Sequence, residues 1–362
     1  MNTELFRYKL RFISILLVLG YAYLHMQIAD VYVGTGLEQL IDFKVRLPYG
    51  QRLLVPAMAH FFRTIFSFNT SEVFFLLECL FVTLFYWTNY HLLRLTLDEN
   101  TSRLLNWLFI LLLPLVSVIN YRFTLDGEAN FFYPSDSAAL FFTAAGMYLC
   151  LRQQWYWFIA LIFVATFNRE SALLLVFLIP VFYWQQFRQK IKVFALASLS
   201  YLVARLTIVW LTSDLPGAFA EWYFRHSHYT HFITNLTWLL REHHLLMFIY
   251  CLAGLPLLCF VFHDYIPRKF LPIRYLVLAY FLGLLCVGIF MESRIYHEIM
   301  VLLYFPLAIA IVRWLKEEPV TNESPKGMAL VDRYLIFVIL LFVLLLQKPI
   351  NDLILFLFPH SH

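Results

Sequence analysis

Apolar runs of roughly 18–20 residues, the length that crosses about 30 Å of hydrocarbon as a helix, repeat along the chain with short polar breaks between them. They fall at residues 12–33, 72–93, 103–121, 136–152, 153–169, 171–187, 193–212, 245–262, 275–291, 296–313 and 334–358. The pattern predicts an all-α fold: a polytopic transmembrane helical bundle of about eleven spans. Residues 1–313 read as the main bundle, 314–333 as a cytoplasmic linker and 334–362 as a last span with its tail.

Two segments decide the count. Between Leu53 and Phe68, the residues Pro56, His60, Arg63 and Ser67 recur at helical spacing on one face, with apolar residues elsewhere. That is the pattern of an amphipathic helix lying in the membrane interface in the first outer loop. Reading it as a span would reverse every later loop and place the basic run Arg188–Lys192 outside. Residues 153–187 are apolar except at Asn168, Arg169 and Glu170. A hairpin with this triplet at its tip fits, the short arms leaving the tip below the outer membrane surface. Irregular backbone at that depth is stable only against protein or a wet cavity.

Composition agrees with a membrane protein. The chain is 62% hydrophobic and only 14% charged, with mean hydropathy +0.72, whereas soluble domains carry about 25% charge. The net charge of +4 is scattered over short loops and forms no nucleic-acid patch; it sets orientation instead. Arg7, Lys9 and Arg11 place the N-terminus in the cytoplasm, with the first span read as a retained signal anchor. Cys79, Cys150, Cys251, Cys259 and Cys286 lie inside apolar runs and read as small buried hydrophobes. The expected location is a bacterial inner membrane.

This topology gathers the charged clusters on one side. Charges at bilayer depth cost about 2.5–3.5 kcal/mol each on the insertion scale, so they mark sites. Asp30, at the end of the first span, is positioned as a general base toward an acceptor hydroxyl, with Glu38 and Asp42 following four residues apart. Lys44, Arg46 and Arg52 surround Pro48-Tyr49-Gly50 and suit an anionic partner such as a phosphate headgroup. Arg169 and Glu170 read as an ion pair or as groups facing a polar cavity. Glu292 and Arg294 repeat the theme between two later spans. Asp136 opens a span, where helix capping accounts for it. The residues Arg122, Asp126 and Glu128 share its loop. His226, His228 and His231 are loosely spaced with no carboxylate fixed nearby, and the adjacent His243 and His244 offer less, so no metal or cofactor is expected. The outer aromatics Trp222 and Tyr223 are candidates to stack on a sugar ring.

The stretch Leu47-Pro48-Tyr49-Gly50-Gln51-Arg52-Leu53-Leu54-Val55-Pro56, with Asn168-Arg169-Glu170-Ser171 and Glu292-Ser293-Arg294, resembles elements of bacterial multispan proteins of the GT-C class. Those glycosyltransferases use polyprenyl-phosphate-linked sugars. The layout is similar too: a first span ending in an acidic residue, then an outer loop with an interfacial helix. One departure is that Asp30 stands beside Val31, where many members carry two adjacent acidic residues. The resemblance implies Asp30 as the base and Arg52, Arg169 or Arg294 as ligands of the donor phosphate.

The candidate set is therefore Asp30, Asp42 and Glu170 for catalysis and Arg46, Arg52, Asn168, Arg169, Glu292 and Arg294 for substrate binding. The expected activity is transfer of a sugar from a polyprenyl-phosphate donor to a lipid-linked or surface glycan at the extracytoplasmic face. The expected partners are that donor, the acceptor and membrane lipids, with no nucleic acid. The rival readings are a transporter or flippase for a lipid-linked or anionic solute, and a polysaccharide polymerase or ligase.

Overall fold

A computed structural model describes residues 3–29, 35–119, 131–223, 229–241, 244–290, 292–320 and 326–358. Sixteen α-helices and no strand occur among them. The helices are α1 (Thr3–Ile28), α2 (Leu37–Ile41), α3 (Leu54–Ile65), α4 (Thr70–Leu93), α5 (Glu99–Ser117), α6 (Ser135–Leu151), α7 (Trp155–Asn168) and α8 (Leu173–Tyr183). They continue as α9 (Phe187–Leu211), α10 (His231–Leu239), α11 (His244–Cys251), α12 (Leu255–Val261), α13 (Ile273–Val287), α14 (His297–Leu315), α15 (Lys326–Leu345) and α16 (Gln347–Leu357).

Among the described residues, six helical segments are long and apolar enough to cross a membrane, or eight if each of two bent pairs counts as one span. The bent pairs depart from the straight spans expected over 245–262 and 334–358. Helices α11 and α12 meet at 83°, and the α15 segment from Asp332 meets α16 at 67°. The first bend falls where Ala253 and Gly254 take positive φ of 50° and 67°, a backbone state that ends a helix. Helix α15 begins at Lys326, so the second half of the segment expected as a linker is helical.

Local signals set the other boundaries. Asn69 and Glu72 form a reciprocal capping box at the start of α4, and the Asp98 side chain caps α5, each satisfying N–H groups that a helix start leaves unpaired. Helices α7 and α8 have 14 and 11 residues, hence lengths of about 21 and 17 Å, and form the two arms of the expected hairpin. Its tip is the extended Arg169 (φ −161°, ψ 144°). Helix α9 folds back beside them. The Tyr201 hydroxyl donates to the Glu170 carbonyl at 3.2 Å, although a straight helix would separate residues 31 apart by roughly 45 Å.

Polar contacts place alternate helix ends together. Tyr21 on α1 reaches Ser117 at the end of α5 at 3.1 Å. Asn168 at the end of α7 donates to the Ser135 carbonyl at the start of α6 at 3.0 Å, and Ser293 donates to the Val116 carbonyl at 2.7 Å. The ends of α1, α5 and α7 and the beginnings of α6 and α14 therefore share one end of the bundle.

The segment expected as an interfacial helix is α3. Its polar face turns toward α2: Arg63 donates to Glu38 at 3.0 Å and to Asp42 at 2.8 Å, while His60 bonds to the Ile41 carbonyl at 3.2 Å. Phe61, Ile65, Phe66 and Phe68 stay exposed on and just beyond α3. A second clamp closes over the next turn, where Leu47 N–H donates to the Pro216 carbonyl at 2.8 Å. Gly217 sits there at φ +113°, and a Cβ on it would lie 2.7 Å from the Leu47 carbonyl oxygen.

Two outcomes follow. Gly217→Ala meets both a disfavoured φ and the Leu47 carbonyl, so it should destabilise the clamp by about 1–3 kcal/mol; limited proteolysis should show faster cleavage within residues 212–222. The Arg63 hydrogen bond holds the Asp42 carboxyl below the usual carboxylate range. A depressed carboxyl contributes stability above its unfolded pKa, near 3.9, and loses it as pH falls through the folded value. Arg63→Gln should therefore raise the Asp42 pKa toward the ordinary value in a carbon-13 NMR titration.

Candidate functional site

Charge converges at the end of the bundle where the α7–α8 tip sits. Asp136, fully buried in the first turn of α6, lies 3.2 Å from Arg169 Nη1 and 3.7 Å from Arg294 Nη1. Pro134 precedes α6 at the cap position, and no side chain caps it. The expectation of a capping aspartate is corrected: Asp136 is the shared counter-charge of two buried arginines.

Arg169 and Glu170 do not pair with each other. Backbone extension at Arg169 sends the two side chains apart, and Arg169 reaches Glu298 on α14 at 3.6 Å. Glu170 instead lies 3.6 Å from Arg52 Nη2, its side chain 46% exposed against 12% for Arg52. Glu298 is held on its other side by Ser171 at 2.5 Å and by Tyr280 of α13 at 3.2 Å. Arg294 pairs with Glu292 two residues away.

Two tyrosines complete the mouth. The Arg294 guanidinium stacks 3.7 Å from the Tyr133 ring centroid, and Arg52 lies 5.6 Å from the same ring and 5.7 Å from Tyr49. Tyr49 and Tyr133 are themselves stacked at 5.5 Å. Planar guanidinium on aromatic faces holds cations in place without using their N–H donors. Among the described residues, Nε and Nη1 of Arg52 and of Arg294 are buried with no hydrogen-bond partner. Buried donors are almost always satisfied by protein or by something bound.

Deeper in the bundle, His25 Nδ1 lies 2.8 Å from Glu78, which also accepts from Ser137. His25 packs 6.5 Å from His297. All of these side chains are buried. Neither Glu78 nor His25 belongs to a polar cluster in the sequence; the signal was a lone ionisable group inside an apolar run.

The remaining expectations divide. Arg46 bonds to Glu221 at 3.1 Å, tying the loop between α2 and α3 to the loop before α10. Burial pushes the Glu221 carboxyl up despite the neighbouring Arg46. Glu38 and Asp42 are both engaged by Arg63, away from the arginine cluster. Trp222 stacks on Phe358 at 3.8 Å, so that ring face is already occupied, and the Tyr223 hydroxyl donates to the Phe358 carbonyl. Asp30 lies outside the described residues, as do Arg122, Asp126, Glu128, His226, His228 and His243. No group of three His, Cys, Asp or Glu able to hold a metal occurs among the described residues. Compared with models of protein families and with curated proteins, the chain matches none.

Removing Asp136 leaves two buried guanidinium groups short of a counter-charge. Asp136→Asn should cost about 3–5 kcal/mol, read as a loss of thermal stability in detergent. Glu38→Gln, which breaks only one exposed contact of Arg63, should cost about 0–1 kcal/mol.

Proposed function

We propose that the chain is a membrane glycosyltransferase that moves a sugar from a polyprenyl-phosphate donor to a lipid-linked or surface-glycan acceptor. Arg52 carries this reading. It sits at the mouth of the charged cluster against Tyr49 and Tyr133, with two N–H groups unspent among the described residues and Glu170 beside it. A forked guanidinium suits a phosphate oxygen pair, and the buried Tyr49 and Tyr133 rings hold it in place.

In the reaction, the acceptor hydroxyl oxygen forms a bond to the sugar C1 as the C1–O(phosphate) bond breaks. The hydroxyl proton passes to a carboxylate. Glu170, half exposed beside Arg52, is our candidate for this part, and Asp30 is the base that the GT-C resemblance implies. The departing polyprenyl phosphate takes the bonding electrons, and its growing charge is met by Arg52, with Arg294 next behind it. Phosphate bound to Arg52 competes with Glu170 for the guanidinium, which releases the carboxylate toward the acceptor.

The same proposal puts the site at the extracytoplasmic face of a bacterial inner membrane, N-terminus inside. A count of about eleven spans belongs to this proposal: it takes α6 and α7 as crossings, each bent pair as one and the segment Glu170–Leu211 as two, where length and composition alone give six to eight among the described residues. A transporter of anionic or lipid-linked solutes is the second reading, favoured by the buried His25–Glu78 pair, since ionisable groups at bilayer depth also serve proton relays.

The test supplies purified protein with radiolabelled polyprenyl-phosphate sugars and a membrane glycolipid extract. Wild type should move label to a new product. Arg52→Ala should lower the rate by about 10²–10³-fold, and Glu170→Gln by about 10²–10⁴-fold. Absence of transfer with every donor, together with passage of labelled solute across vesicles containing the protein, would replace the enzyme by the transporter.

A further inference from the structure

Away from the arginine cluster, α11, α12, α13, α14 and α15 surround a cavity of about 300 Å³. The bend between α11 and α12 turns the second helix away from the line of the first, and α15 packs across the space. Most of the wall is hydrocarbon, including Phe248, Leu252, Phe260, Val277, Leu303 and Phe337. Its polar lining is His263, Arg274 and Arg333.

These three lie at the opposite end of the bundle from Asp136. Residues 263–274 connect the far end of α12 to the start of α13, and Val320, beyond the far end of α14, donates its N–H to the Asp264 carbonyl at 3.0 Å. Arg274 Nη1 donates to His263 Nε2 at 2.8 Å, and its Nη2 meets Tyr275 at 2.9 Å and Asp332 at 2.5 Å. Arg333 reaches Asp264 at 3.1 Å and the Phe260 carbonyl at 3.3 Å. Because a guanidinium only donates, His263 accepts at Nε2 and carries its ring proton on Nδ1, which lies 3.5 Å from Asp264.

The pairing is incomplete. Nε of Arg274 and Nε of Arg333 are buried with no hydrogen-bond partner among the described residues. An apolar chamber lined at one end by two arginines, each with a hydrogen-bond donor still unspent, matches an amphiphile with a hydrocarbon chain and an anionic head. Lys269, in the same connection, adds a further positive charge at this end.

We propose that this cavity binds one anionic phospholipid of the surrounding membrane, an acyl chain among the α11–α15 side chains and the phosphate against Arg274 and Arg333. The lipid fills the space left by the bent helix and fastens α15 to the bundle. The site is separate from the arginine cluster and does not depend on the transfer reaction.

Native mass spectrometry of the full-length protein in detergent tests it, with phosphatidylglycerol and phosphatidylcholine of equal chain length as probes. One phosphatidylglycerol should bind with at least about tenfold preference, worth about 1.4 kcal/mol. Arg333→Gln should bring the preference down to about threefold or less while phosphatidylcholine binding stays the same. Ile336→Trp, which fills the chamber and keeps both arginines, should abolish saturable binding of either lipid. Equal binding of the two lipids by wild type, or phosphatidylglycerol binding undiminished in Ile336→Trp, would overturn the site.

Discussion

Asp136 sets what the rest of the charged end is able to do. Two guanidinium groups from different parts of the chain, Arg169 at the α7–α8 tip and Arg294 ahead of α14, approach one carboxylate. Neither would be tolerable alone in a hydrophobic bundle, since an unpaired buried ion costs several kcal/mol. The shared carboxylate therefore ties α6, the hairpin and α14 into a single arrangement. Glu298 and Glu292 supply the remaining counter-charges, so the cluster is dense in charge yet nearly balanced. Such a network adds little net stability over an apolar core, and its value lies in holding fixed dipoles at one place.

Burial grades the cluster by role. Arg169, Arg294 and Asp136 are enclosed, while Arg52 and Glu170 sit at the edge, where Glu170 is nearly half exposed. On the proposed reading, an incoming phosphate would meet Arg52 first. The deeper arginines then act through the field they set up and through the Tyr133 ring that Arg294 and Arg52 both face. Phosphate binding and carboxylate release become one event if Glu170 and the ligand compete for the same guanidinium.

The charged triplets at 168–170 and 292–294 were legible in the sequence because charge inside apolar runs is expensive and has no bland explanation at that density. Their partners were not. Asp136 follows a proline and a serine at a helix start, a setting where an aspartate ordinarily caps, so local chemistry concealed its tertiary role. Glu78 and His25 are single ionisable residues within long apolar helices, and the cost argument that flagged the triplets applies to them equally. The hairpin was readable from arm length, because residues 153–187 are too many for one upright helix and too few for two full ones. The bends at Gly254 and Leu346 were not, since hydropathy records which side chains are apolar and carries no information on backbone direction.

The two ends of the bundle follow different physical rules. Around Asp136, ion pairs, stacked rings and hydrogen bonds from Ser171, Tyr280 and Ser293 join groups of α5, α6, α13 and α14 and the turns between helices. At the other end, α12 and α15 meet through a few polar contacts around Arg274 and Arg333 and otherwise enclose hydrocarbon-lined space. A site that must hold a charged transition state gains from the first kind of packing, because preorganised dipoles need no reorganisation during reaction. A helix pair bent by 83° cannot be packed that way without leaving a void, and in a membrane the nearest material to fill a void is lipid. Division of the bundle into a charged end and an apolar end with a cavity thus follows from where the chain places its few charges and the left-handed bend at Ala253 and Gly254.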